Sequence, residues 1–234
     1  MHEGAVSARL KVRGVPAAAE DAGTARDLAL CESAGYPVHI CHVSTKTSAA
    51  MLRGAKKRGA RVTCETAPHY FTLTDESLSS MDANFRMNPP LRSREDVNAV
   101  IDAVRDGTID AVATDHAPHA PDEKADFSTA PNGVLGLQTL LPLSVTRLVK
   151  PGHIGLYRLI ELLSVNPARI LGIPGGSLSA GAPADVVLFD PEAEFVFHKS
   201  MLKSKSENTP FDGMRMTGRV ALTVMGGEIT YGAL

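Results

Sequence analysis

No apolar run in these 234 residues approaches the roughly 20 that a membrane-spanning helix needs. The opening stretch, MHEGAVSARLKVRG, also lacks the apolar centre of a secretory signal peptide. Cysteine is scarce and odd in number: Cys31, Cys41 and Cys64 lie in apolar or strand-like surroundings. That argues against a disulfide framework and for a reducing compartment, so a cytoplasmic location is expected. An excess of either charge is missing as well. With 24 Lys and Arg against 26 Asp and Glu, the net charge of −2 offers nucleic acid no electrostatic footprint. Low-complexity tracts and internal repeats are absent. What is present is 44% hydrophobic and 21% charged residues, enough for a soluble globular protein with a substantial core.

Strand-like and helix-like segments alternate as far as about residue 172. AAAEDAGTARDLALCESAG reads as a helix opened by Pro16 and closed by Gly35, leading into the short β-branched run PVHICHVS. SAAMLRGAKKRG is again helical and ARVTCET is the next strand. SREDVNAVIDAVRDG is the clearest helix: Ser93 is the cap, Asp96 stands three residues on, Val97, Val100, Ile101 and Val104 recur at helical spacing, and Gly107 is the stop. It feeds a third strand in TIDAVATDHAPH. Such alternation predicts a parallel α/β architecture, in which ligand sites form beyond the carboxyl ends of the strands. After Ile173 the runs shorten and are punctuated by Gly, Pro and Asp, as in PGGSLSAGAPADVVLFDPEAEFVFH and MRMTGRVALTVMGGEITYG, which predicts strands and turns. The expected division is therefore 1–172 and 173–234, the second part a small β domain, with KSKSENTPFDG crossing between its strands.

Three successive strands deliver polar, metal-competent residues to one end. In PVHICHVST, strand alternation puts Val38, Ile40 and His42 on one face and His39, Cys41 and Val43 on the other, with His42 nearer the carboxyl end. CETAPHY supplies Glu65 and His69, RMNPPLR supplies Asn88 and Arg92, and TDHAPH brings a carboxylate and two imidazoles within six residues. Asp and His are the side chains that bind divalent metals and move protons near neutral pH. Each also has a plain structural reading. His42 could be a hydrogen-bonded core histidine, Asp115 a helix cap, His69 a loop residue and Glu65 a structural acceptor at the rim.

Together, CHVSTKTS, VTCETAPHYFTLT, RMNPPLRSREDV, DGTIDAVATDHAPHAPDEK, APNGVLGLQT, SVNPARILGI, GAPADVVLFD and SKSENTPFDG, in this order, resemble the C-terminal part of the bacterial dihydroorotases, members of the amidohydrolase superfamily. The resemblance implies an α/β fold: the last three or so strands of a TIM-type (β/α)8 barrel, with a small C-terminal β domain. It implies reversible, zinc-dependent interconversion of N-carbamoyl-aspartate and dihydroorotate in pyrimidine synthesis. His42 matches a metal ligand at the end of the sixth barrel strand. Asp115 matches the strand-eight aspartate that binds metal and serves as general base and acid, taking the proton of the metal-activated water and returning it to the leaving amide nitrogen. Asn88 and His119 match substrate-binding positions, and Asn132 and Gly133 match the loop whose backbone holds the pyrimidine ring.

The family's His-x-His pair, which belongs to the first barrel strand, occurs nowhere here. Nor do the family's fourth-strand carboxylate and fifth-strand histidine have counterparts; His2 is out of register for the latter. A complete barrel takes roughly 250 residues by itself. A partial dihydroorotase, from a split or shortened gene, is the expectation. Its binuclear zinc centre would be incomplete, holding metal weakly on His42 and Asp115 unless Glu65 or His69 is recruited, and the chain alone would be inactive. Expected partners are a small-molecule substrate and the missing N-terminal half. The alternative is a noncatalytic relative that accompanies aspartate transcarbamoylase. A lesser alternative, prompted by PHYF, is an allantoinase or hydantoinase. No nucleic-acid or membrane partner is expected, and a homo-oligomer is compatible with the sequence.

Overall fold

In the computed structural model, which describes residues 1–232, chain punctuation sets the elements much as expected. A short helix, α1 (Ala5–Leu10), precedes α2 (Ala17–Ala34). Pro16 stands at the N-cap of α2, and Gly35 closes it in the left-handed conformation (φ 70°), donating its N–H to Cys31 O at 2.9 Å. Strand β1 (Val38–Ile40) follows, then α3 (Lys46–Lys57), β2 (Val62–Thr66) and the short α4 (Pro68–Thr72). In α5 (Arg94–Arg105) the Ser93 hydroxyl accepts the Asp96 N–H at 3.2 Å, the cap that the Ser-x-x-Asp spacing predicts. Strand β3 (Ala111–Val112) ends just before TDHAPH.

The three strands form one parallel sheet in the order β1, β2, β3, with His39 opposite Thr63 and Glu65 opposite Ala111. Alternation therefore divides the sheet by chemistry. Val38, Ile40, Val62, Cys64 and Val112 face the helices, where they meet Leu28 and Cys31 of α2, Leu52 and Ala55 of α3, and Val100 and Val104 of α5. His39, Thr63 and Glu65 lie on the opposite face. Burial drives this choice, since each buried Leu or Val contributes about 1.5–3 kcal/mol on leaving water.

Residues between the third strand and the β sheet form a helical layer that periodicity alone did not resolve. Helix α6 (Leu140–Ser144) runs on as a π-helical turn, Val145–Val149. Helix α7 (Leu156–Ile160) does the same over Glu161–Val165 and continues as α8 (Asn166–Leu171). Their Val145, Leu148, Leu159 and Leu162 are buried in the same core.

The second sheet is antiparallel: β4 (Val186–Val196), β5 (Arg215–Met225) and β6 (Glu228–Tyr231), in that order. KSKSENTPFDG crosses between β4 and β5, as expected. Phe197, Phe211 and Met216 pack with Leu73, Leu78, Met87, Leu91, Val134 and Leu143 in a second core, which ties this sheet to the first part of the chain. The fold is thus α/β, an incomplete barrel of three parallel strands with a small antiparallel β unit.

Among the described residues, strands β1 and β3 each pair with β2 alone, leaving open edges, and Leu178, Val187, Leu188 and Met225 are exposed. Open edges and apolar surface template association. In sedimentation velocity the isolated chain is expected to self-associate with rising concentration. A monodisperse monomer that also melts cooperatively would contradict this.

Candidate active site

The loop after β1 carries the motif His-Val-Ser-Thr, and its backbone is pinned by carboxylates from two helices. Glu20, in the first turn of α2, accepts the N–H groups of Ser44 at 2.8 Å and Thr45 at 3.1 Å, and the Ser44 hydroxyl donates to its other oxygen. Asp21 accepts from the Thr45 hydroxyl at 2.6 Å, and Asp96 of α5 accepts the Lys46 N–H at 2.9 Å. Beneath them Arg92, only 2% exposed, donates to Ser44 Oγ at 3.1 Å and to Glu20 at 3.3 Å. The same guanidinium donates to His2 Nδ1 and to Val15 O. A cleft of about 340 Å³ opens beside this knot, lined by Glu20, His39, Cys41, His42, Asn88 and Arg92 among others.

Strand alternation stops at Ile40, so parity does not extend to His42. Instead His42 takes a left-handed backbone conformation (φ 42°), as does Asp115 (φ 48°) beyond β3. For residues other than glycine this conformation costs on the order of 1–3 kcal/mol and persists where surrounding structure enforces it, often at functional sites. Burial raises the Asp115 carboxyl above its ordinary range; the His42 charge pulls it back and Glu65 pushes it up again. Asp115 caps no helix among the described residues. His69 is no loop residue either: it lies in α4 and is buried, its Nε2 has no hydrogen-bond partner among the described residues, and its ring stands edge-on to Tyr70 at 4.1 Å. Burial, reinforced by His42, lowers its pKa to about 3. Tyr70 in turn donates to Pro89 O at 2.8 Å, fixing the loop that carries Asn88, which is exposed.

The other named residues form a second group. His119 Nε2 lies 3.0 Å from Asn132 O, the Gly133 N–H is taken by Arg86 O at 2.9 Å, and the Ala117 N–H donates to Val134 O at 2.9 Å. Gly133 is required at this approach: with φ 142°, a Cβ there would stand 2.5 Å from Ala117 Cβ and 3.0 Å from His119 Nε2. Asn208, from SENTPF, is the clasp. Its side chain donates to Ala117 O at 2.8 Å and Gly133 O at 3.2 Å and accepts the His119 N–H at 3.1 Å.

A match to the model of the Amidohydrolase family extends over residues 2–230. The chain belongs to the amidohydrolase family. Among curated relatives it is 53% identical to a dihydroorotase of Geobacter sp. (strain M21), over all of this chain and 55% of that protein, and 49% identical to a dihydroorotase of Acetivibrio thermocellus, over 98% and 54%. Among solved structures, an L-hydantoinase (dihydropyrimidinase) from Arthrobacter aurescens matches with a TM-score of 0.85 and 30% identity, covering 91% of this chain and 48% of that one. A D-hydantoinase from Thermus sp. also gives 0.85, at 26% identity, covering 93% and 49%. The chain thus spans about half the length of these amidohydrolase relatives.

Within this family frame, the structure sets His42 and Asn88 on the cleft, couples Asp115 to His42 by charge, and clusters His119, Asn132 and Gly133. Glu65 pairs with His39, Nε2 to Oε2, at 3.3 Å. Sequence reasoning passed over Glu20 and Asn208. An acid just after Pro16 at a helix start was the available signal for Glu20; Asn208 had only its place in a quoted motif.

Glu20→Ala leaves the Arg92 charge buried without its partner and should destabilise the fold by about 3–5 kcal/mol in urea unfolding; a change under about 1 kcal/mol would contradict the knot. For His69 the folded pKa lies below the ordinary value of about 6.5, so between pH 6.5 and 3 the unfolded state holds the extra proton. Stability is then full above about pH 6.5 and falls as pH drops, by about 1.4 kcal/mol per unit. His69→Gln should remove that component of the slope, and an unchanged pH profile would refute it.

Proposed function

We propose that these residues carry part of the active site of a dihydroorotase-type cyclic amidohydrolase, acting reversibly between N-carbamoyl-aspartate and dihydroorotate in pyrimidine synthesis. The observation that carries the reading is the pair His42 and Asp115, each at a strand end in a left-handed conformation and each within the other's field. Identity of 49–53% to proteins named dihydroorotase, against 26–30% to the hydantoinases, favours this substrate class over a hydantoin. On this reading the chain divides into 1–172 and 173–234 and works in a cytoplasmic setting.

An imidazole and a carboxylate are suited in kind to zinc, and a catalytic zinc ordinarily takes three protein ligands. His42 and Asp115 therefore fit the metal as part of a set, the other ligands coming from outside these residues. When bound, zinc supplies Lewis-acid polarisation of the amide carbonyl and acidifies water. Asp115 accepts the proton of the attacking water and returns it to the departing ring nitrogen, a task suited to a carboxyl already raised above its ordinary range. His119 and Asn88 orient the substrate and its charge, and the Asn132–Gly133 loop, clasped by Asn208, borders the ring.

The test is ring opening of dihydroorotate by the chain alone and after addition of the N-terminal half of a dihydroorotase relative. Alone, the chain is expected to be inactive. In the reconstituted pair Asp115→Ala should abolish the recovered turnover, by about 10²–10⁴-fold or more, whereas His119→Ala should chiefly raise KM. Zinc-dependent turnover by the chain alone, lost in Asp115→Ala, would show that other residues complete the ligand set. Reconstitution without turnover would favour a noncatalytic companion of aspartate transcarbamoylase.

A further inference from the structure

We infer that His39, Cys41 and Glu65 form a binding site for one zinc-class divalent cation, separate from the His42 and Asp115 pair. The donor atoms of these three residues all lie within 4.8 Å of one another. His39 on β1 and Glu65 on the central strand β2 stand on the sheet face turned away from the helices, and Cys41 follows directly after β1; Cys41 is exposed and His39 and Glu65 are part-buried.

The distances suit a tetrahedral ion. Two ligands each about 2.0–2.1 Å from zinc stand about 3.3–3.4 Å apart, and His39 Nε2 lies 3.3 Å from Glu65 Oε2. A sulfur ligand at about 2.3 Å would stand about 3.6 Å from the nitrogen, so the thiol closes by little more than an ångström at most, through rotation of an exposed side chain. The second nitrogen of His39 is already engaged: Nδ1 lies 2.8 Å from Thr63 Oγ1. When that nitrogen carries the proton and donates to the hydroxyl, the Nε2 lone pair points at the carboxylate, an arrangement that a cation between them makes favourable. Outer hydrogen bonds of this kind orient and tune metal-bound histidines.

Charge favours the same occupant. The Glu65 carboxylate, within 4.8 Å of the thiol and the imidazole, is a fixed negative charge that a divalent cation held between them would balance. On binding, the thiol proton is released to solvent and the sulfur, nitrogen and carboxylate oxygen take three positions, with water in the fourth. The ion would clamp the end of β1 to β2. Glu65 is thus recruited to metal, but with His39 and Cys41 and not with His42. This inference does not depend on the proposed activity.

Cobalt(II), a spectroscopic substitute for zinc, tests it on the 234-residue chain with no enzymatic readout. Titration should produce a near-ultraviolet thiolate-to-cobalt charge-transfer band and intense tetrahedral visible bands at one ion per chain, all displaced by zinc. Cys41→Ser should abolish the charge-transfer band while far-ultraviolet circular dichroism stays unchanged. Thr63→Val, which leaves every ligand in place, should weaken cobalt binding about 10-fold or more. The double change His42→Ala with Asp115→Asn should leave the band intact. Absence of the band, its survival in Cys41→Ser, unaltered affinity in Thr63→Val, or its loss in the double variant would each overturn the site.

Discussion

The buried pairing of Arg92 with Glu20 is the constraint on which the candidate site rests. Arg92 is inaccessible to water, and such a charge is tolerated only with a partner and with its donors engaged. Glu20 provides the charge and accepts one N–H, while Ser44, His2 and Val15 accept three more. Because Glu20 also accepts two backbone N–H groups of the loop after β1, charge neutralisation and loop shape cannot be separated. The loop that is fixed in this way holds His42 in its left-handed conformation, so the local backbone strain is supported by the fold around it and not by the loop itself.

The same economy recurs on the third strand. Asp115 begins a loop that has little regular structure of its own, yet this loop is held against the Asn132–Gly133 segment by a single parallel bridge, His116 to Val134, and by the Asn208 side chain. Asn208 is contributed from the crossing between β4 and β5, so the antiparallel unit reaches the strand ends through a hydrogen-bonding clasp as well as through the shared apolar core. That placement gives the small β unit a part in shaping the site.

Much of the fold was readable in the residues. Caps and stops at Pro16, Gly35, Ser93 and Gly107 placed helices correctly because they act locally, through φ preferences and one or two hydrogen bonds. The apolar face of β2 was readable because burial and alternation agree at every position of Val62–Thr66. The site was only partly readable. Strand parity was extended to His42, but the strand ends at Ile40 and a positive φ at His42 turns the chain away from the strand direction. His69 looked like a loop residue because Pro68 precedes it, whereas Pro at the first turn of α4 is compatible with a helix and tertiary packing buries the ring. The joining of His39 to Glu65 depends on the register of two strands, which no local pattern contains. The π-helical turns at Val145–Val149 and Glu161–Val165 likewise reflect packing between layers more than any sequence signal.

Amide hydrogen exchange, resolved by residue, tests the central dependence most directly. If the Arg92 and Glu20 knot holds the loop, the Ser44 and Thr45 amides, both bonded to Glu20, exchange as slowly as the amides of β2, and Glu20→Gln speeds these two by a larger factor than it speeds the amides of β2 and α5. Rapid exchange of Ser44 and Thr45 in the unaltered chain, or equal loss of protection across β2 and α5 in the variant, would contradict the account.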